Sequence, residues 1–197
     1  MPDLLTDVLP TVWEGHEIDW DFRPMVKTIN EMMRVKSDEE AAQVAHRAVD
    51  RFFHFPIAVE DHPSAFQSLI RFLRAGMPQQ QQEEESSSGG SGSGEVTYDY
   101  AADAGYIVAA FQQAYHIDLT SERVHWWRFC ALFYALPEET TMRKIMDIRA
   151  TDTSEMDESN RRRYEEQKAR FALPSYLKGV KRIETLQEHE NAFFDRF

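Results

Sequence analysis

The chain holds a single cysteine, Cys130, in 197 residues. A lone cysteine excludes an intramolecular disulfide, gives no thiolate framework for a metal, and fits a reducing compartment. Basic residues are also short. Against 34 Asp and Glu stand only 22 Lys and Arg, a formal net charge of −12. Binding to nucleic-acid phosphates needs clustered Lys and Arg, so this balance argues against it. It suits a soluble protein kept apart by like-charge repulsion, or one whose partner is basic. Long apolar runs are missing as well. A membrane span needs about 20 apolar residues. The most apolar stretch, VHWWRFCALFYAL at 124–136, is shorter and carries His125 and Arg128. The opening MPDLLTDVLP is acidic and lacks the basic start and apolar centre of a secretory signal. No membrane association is expected, and the expected location is a cytosol.

What remains is a chain with 42% hydrophobic residues, enough for a packed core. MPQQQQEEESSSGGSGSGE at 77–95 divides it. After Met77 this segment has no aromatic or branched apolar residue, so it cannot offset the entropy lost on ordering. It reads as a disordered linker, and its last part resembles an engineered one. The expected organisation is an N-terminal hairpin-plus-helical subdomain at 1–76, a linker at 77–96 and a helical subdomain at 97–197.

Before the linker, TVWEGHEIDW alternates around a glycine and predicts a small β-hairpin with its turn near Glu14 to His16. Met25, Ile29, Met32 and Met33 then recur at helical spacing. Ser37 with Glu40 forms a capping box ahead of Ala41, Val44, Ala48 and Phe52. Phe66, Leu69, Ile70 and Leu73 mark a third helix, with Gly76 as its stop. After the linker, Ile107, Ala110, Phe111 and Ala114 share a stripe. The Trp126–Trp127 helix has cap candidates at Thr120 and Ser121 and is stopped by Pro137. A short helix carries Met142, Ile145, Met146 and Arg149, a charged helix is anchored by Tyr164, Phe171 and Leu173, and a last helix could follow. The fold class is mainly α: helical bundles with one small N-terminal β-hairpin and a central linker.

Chemical motifs are sparse. None of the seven histidines falls in a metal-ligand pattern. His125 reads as structural rather than as a ligand. Cys130, in a very apolar helix, behaves as a small hydrophobe. SSSGGSGSG has no lysine and no strand or helix in register for a phosphate loop. Arg161, Arg162 and Arg163 are the one basic run, and Glu158, Glu165 and Glu166 stand at pairing distances, so a solvated helix face is the better reading. No cofactor, no metal and no catalytic group is expected.

Methionine fills irregular gaps in cores but is also over-used on adaptable binding surfaces. The terminal NAFFDRF either docks back or grips another molecule. If a partner surface is to be named, it is Met32, Met33, Phe193, Phe194 and Phe197. The tandem tryptophans are apolar nearly all round their helix and are expected at the centre of the C-terminal subdomain's core, with His125 and Arg128 at its edge.

Several motifs together resemble the phage gene-product-fifteen family of tailed phages of Gram-positive bacteria. They are Tyr98 and Asp99, Ala109 to Gln113 (including Phe111) with Ile117 to Leu119, His125 to Trp127 with Phe129, Leu136 to Glu138 (including Pro137), and Ile145 and Ile148 with Arg149. LLTDVLP, DFR and the polar insert are similar too, which favours a natural linker. The resemblance covers nearly the whole chain; the tail beyond 173 adds little. It implies a tail assembly chaperone acting on the tape-measure protein, with tail-tube protein as a further partner and absence from the finished virion. The competing expectation is a structural virion component, a head–tail connector or tail-completion protein. A homo-oligomer stays open.

Overall fold

In a computed structural model, residues 7–76 and 96–177 are described. The expected linker, the expected last helix and the residues Phe193, Phe194 and Phe197 therefore lie outside the described residues. In chain order the elements are β1 (Val12–Trp13), β2 (His16–Glu17), α1 (Phe22–Met32), α2 (Asp38–Phe52), α3 (His62–Ala75), α4 (Ala104–Tyr115), α5 (Trp126–Tyr134), α6 (Thr141–Ala150) and α7 (Glu158–Arg170). Short 3-10 turns lie at Val59–Asp61 and Ser175–Leu177. The protein is mainly α-helical with one two-stranded antiparallel hairpin, as its periodicity predicts.

The chain forms two compact units, and their boundary does not fall at the expected linker alone. Among described residues the first unit takes 7–76 and 123–134, the second 96–122 and 135–177. The tandem-tryptophan helix α5 is thus built into the first unit. The expectation that it centres a 97–197 core is corrected: α5's apolar surface is buried against N-terminal elements.

In the first unit, Val12 pairs with Glu17 and Trp13 with His16 across a turn at Glu14 (φ 49°) and Gly15 (φ +87°). Two consecutive residues with positive φ match the right-handed twist of a tight hairpin, and glycine takes the second without steric cost. Beyond β2, Ile18 bridges to Phe53 and Asp21 to His125, so the segment after the hairpin touches both α2's end and the start of α5. Asp21 caps α1 by accepting from the Arg23 amide at 3.0 Å. Pro24 sits in the first turn, where its missing N–H costs nothing. Ser37 caps α2 through the Glu40 amide, while the Glu40 carboxylate accepts from the Lys36 amide. Met25, Ile29, Val49, Phe52, Phe66, Leu69, Phe72 and Leu73 are almost wholly buried.

In the second unit, Thr140 caps α6: its hydroxyl donates to the Pro137 carbonyl at 2.8 Å and accepts from the Arg143 amide. This is the structural meaning of LPEET. His116 ends α4 in the left-handed conformation (φ 56°), with its amide and that of Ile117 closing back on Gln112 and Phe111. Ile107, Phe111, Leu136, Met142 and Ile145 are buried; Pro137 is exposed.

Candidate functional site

Three places gather residues that the sequence singles out. The first is the junction of α5 and the C-terminal end of α3. The last four carbonyls of a helix have no partner within it. Two of α3's are taken by indoles: Trp127 Nε1 donates to the Phe72 carbonyl at 2.8 Å and Trp126 Nε1 to the Leu73 carbonyl at 3.0 Å. Both rings are fully buried. Trp127 lies 5.3 Å from the Phe72 ring, and Trp13 of the hairpin meets both edge-on, at 5.5 Å from Phe72 and 5.7 Å from Trp127. A second stack runs Phe22, Phe129, Phe133, with Trp126 against Phe129. Tandem tryptophans therefore do two things at once, filling the core and closing a helix end.

Gly76 belongs to this arrangement. It has φ −79°, an ordinary right-handed value, so it is not the left-handed stop that its position suggests. A Cβ there would lie 2.8 Å from Trp127 Cδ1 and 2.9 Å from Trp126 Nε1. Glycine is needed because the indoles stand where a side chain would be.

His125 orders the start of α5. Its Nε2 faces the Pro10 carbonyl at 3.0 Å and its Nδ1 accepts from the Trp127 amide at 3.1 Å, which makes it a neutral, Nε2-protonated imidazole. Its ring stacks on Trp20, over which Arg123 lies at 4.3 Å. Burial pushes the His125 pKa below its usual value, partly opposed by the Pro10 bond. The expected caps, Thr120 and Ser121, instead bond to Asp118 in a separate turn. His125 is a positioning residue for α5, with both ring nitrogens occupied by the fold. Cys130 is buried, and burial pushes its thiol pKa up, so it is not poised as a nucleophile.

The second place is a buried ion pair in the second unit. Arg149 on α6 makes a fork to Asp103, at 2.7 Å to Oδ2 and 2.9 Å to Oδ1. The same guanidinium donates to the carbonyls of Phe171 and Thr97. Asp103 also accepts from the Asp99 amide, and Asp99 accepts from those of Ala101 and Ala102. Asp99 and Arg149, far apart in sequence, thus share one network through Asp103, while Tyr98 packs edge-on against Tyr100 at 5.2 Å. Asp103 stands directly before the apolar start of α4, and that acidic position is its signal in the sequence. The network ties three segments together.

The third is the named partner surface. Met32 and Met33 are buried, at 1% and 6% exposure. They fill the first unit's core, so the surface expected of them is corrected to packing; the side chains turn inward because α1 lies against α2. What is exposed instead is Phe55 (36%) and Val59 (63%) between α2 and α3, with Val12 on the hairpin. Phe55 rests on His16 at 4.8 Å and near Phe53 at 5.8 Å, forming a half-open aromatic cluster. The alternation of Phe55, Ile57 and Val59 was its sequence signal.

Among the described residues no group of three or more His, Cys, Asp or Glu is placed to hold a metal ion. No helix among them is long and apolar enough to cross a membrane. No curated protein and no solved structure matches the chain. One family model does, described as Bacteriophage Gp15 protein, over residues 3–173. That span takes in the hairpin, all seven described α-helices, the indole-capped helix end and the Asp103–Arg149 network. The chain belongs to the Bacteriophage Gp15 protein family, and with it to the phage proteins of structural or assembly role.

Proposed function

We propose that this protein is a tail assembly chaperone that binds the phage tape-measure protein and keeps it soluble while the tail is built. The family match over 3–173 carries the reading, since the resemblance implies that role. Two physical features support it. The chain's net charge of −12 keeps a complex soluble by like-charge repulsion. The Phe55, Val59 and His16 region offers exposed apolar surface beside polar neighbours, the type of surface on which an amphipathic helix can lay its apolar face. Met32 and Met33 are replaced in this role by Phe55 and Val59; Phe193, Phe194 and Phe197 remain part of the proposal, with tail-tube protein as a second partner. The protein then works in the host cytoplasm and leaves before the virion is complete.

Co-expression tests this directly. Tape-measure fragments should shift from the pellet to the soluble fraction when this protein is present and should co-elute with it on gel filtration. The double substitution Phe55→Ser with Val59→Ser should reduce that co-elution while leaving the fold intact. If the fragments stay insoluble and no complex survives, the reading fails.

A further inference from the structure

The helix α7 contradicts the chain's overall charge. Its arginines and lysine, Arg161, Arg162, Arg163, Lys168 and Arg170, outnumber Glu158, Glu165 and Glu166 by two in a chain of net −12. No residue of α7 is buried. A helix polar all round gains little from packing, so its place depends on its ends and on whatever it meets. Its ends are held: Asp157 accepts from the Asn160 amide, and Arg149 Nε donates to the Phe171 carbonyl just beyond the helix. The expected neutralisation by glutamates is only partly realised. Arg162 pairs with Glu166 at 3.4 Å, both side chains mostly exposed, whereas Arg161, Arg163 and Arg170 make no ion pair within the described residues. Exposed pairs of this kind contribute little.

Arg163 and Arg170 are seven residues apart, which on a helix means the same face and a separation of about 10 Å. Each guanidinium is steadied by the ring that follows it, Arg163 over Tyr164 at 5.7 Å and Arg170 over Phe171 at 5.5 Å. Between them on that face lies Glu166, which is drawn to Arg162 at 3.4 Å, so the two arginines flank it as the unpaired charges among the described residues. We propose that this face is an electrostatic docking site for an acidic α-helix of a partner protein, whose carboxylates at i and i+7 would match the Arg163–Arg170 spacing. Charge complementarity selects that occupant. A compact acidic helix meets the local positive field within a Debye length of about 8 Å. An extended polyanion such as duplex DNA would also be driven off by the remaining acidic surface. The site does not rest on the chaperone reading and makes no use of the exposed apolar cluster.

The test uses the full chain and a fluorescent, alanine-based helical peptide carrying Glu at two positions seven residues apart, with its Gln counterpart as control. Anisotropy should show binding of the Glu peptide that weakens as salt rises, and little binding of the Gln peptide. The pair Arg163→Glu with Arg170→Glu should weaken it by roughly tenfold or more, as expected for lost charge complementarity. Arg163→Gln with Arg170→Gln, checked by circular dichroism, should also weaken it and guards against misfolding of the charge-reversed form. Lysine at both positions should retain most of the binding. The proposal is overturned if the Glu peptide does not bind the wild type or if the Gln peptide binds as well. Unchanged affinity in both double variants, or tighter binding of a duplex oligonucleotide than of the Glu peptide, overturns it too.

Discussion

The indole N–H of Trp127 donates to the carbonyl of Phe72 at 2.8 Å, across 55 residues of sequence. With Trp126 on Leu73, it makes the end of α3 depend on a helix that follows residues 77–95. Replacing either tryptophan by phenylalanine keeps most of the ring but removes the indole donor; the Phe72 carbonyl then loses its side-chain partner, while the Leu73 carbonyl keeps the Gly76 amide at 3.3 Å. Trp127→Phe should therefore cost about 1–3 kcal/mol, the usual penalty for a buried group left unmade, and Trp126→Phe less. Urea denaturation followed by circular dichroism measures it; a loss below about 0.5 kcal/mol at both sites would show that water replaces the indoles without penalty.

Gly76→Ala should be destabilising although the backbone there is unstrained. The new methyl would press on two rigid rings that cannot swing aside, and overpacking of this kind costs about 1–3 kcal/mol. Alanine is otherwise the better helix former, so a stabilised Gly76→Ala protein would contradict the close approach directly.

Cleavage within 77–95 should not release the N-terminal piece. Residues 123–134 lie beyond the cut yet belong to the first unit, with both indoles and His125 bonded to residues before it. A specific protease site placed in this segment should yield two bands on a denaturing gel and one peak on native gel filtration. Separate elution of the pieces would contradict the account.

In the second unit, Arg149→Ala leaves Asp103, at 2% side-chain exposure, as a buried charge without its partner. Removing one member of such a pair costs about 3–5 kcal/mol. Arg149→Lys should recover little, because a lysine cannot reproduce the fork to Asp103 while also reaching Phe171 and Thr97. Thermal unfolding of the two variants, compared at one pH, decides whether geometry or charge alone matters.

Acid should destabilise the first unit through two histidines. Burial lowers the pKa of His125, and burial with the neighbouring His62 lowers that of His46, whose Nδ1 lies 2.7 Å from His62 Nδ1. With folded pKa values below the unfolded value of about 6.5, the unfolded chain binds more protons in the window beneath it. The stability these groups contribute is present above about pH 6.5 and is lost as pH falls towards their folded values. The melting temperature should therefore drop between pH 7.5 and 5.5, and His46→Gln should flatten part of that slope. A melting temperature unchanged across the range would contradict these assignments.

Much of the architecture is legible in the residues because local signals and burial agree. The alternation around Gly15, the capping serine at Ser37 and the stripe of Phe66, Leu69, Ile70 and Leu73 each determine a local element. The two-unit division was not legible, since periodicity gives a helix its apolar faces but not the neighbours they meet. α5 is apolar almost all round, a pattern equally satisfied by either half of the chain. Met32 and Met33 show the same limit: methionine suits a core gap and a binding surface alike, and only burial separates them. Arg149 could be named as a family position, but its pairing with Asp103 required the fold to bring residues 46 apart together. Phe55 and Val59 lie between helices, where their short alternation with Ile57 does not say which face of the segment stays exposed.

Mass spectrometry of purified virions tests the central functional claim most directly. A chaperone that leaves the assembled tail predicts that tape-measure and tail-tube peptides are abundant and that peptides of this protein are absent. Recovery of this protein at a fixed copy number per particle would contradict the account and identify a structural virion component instead.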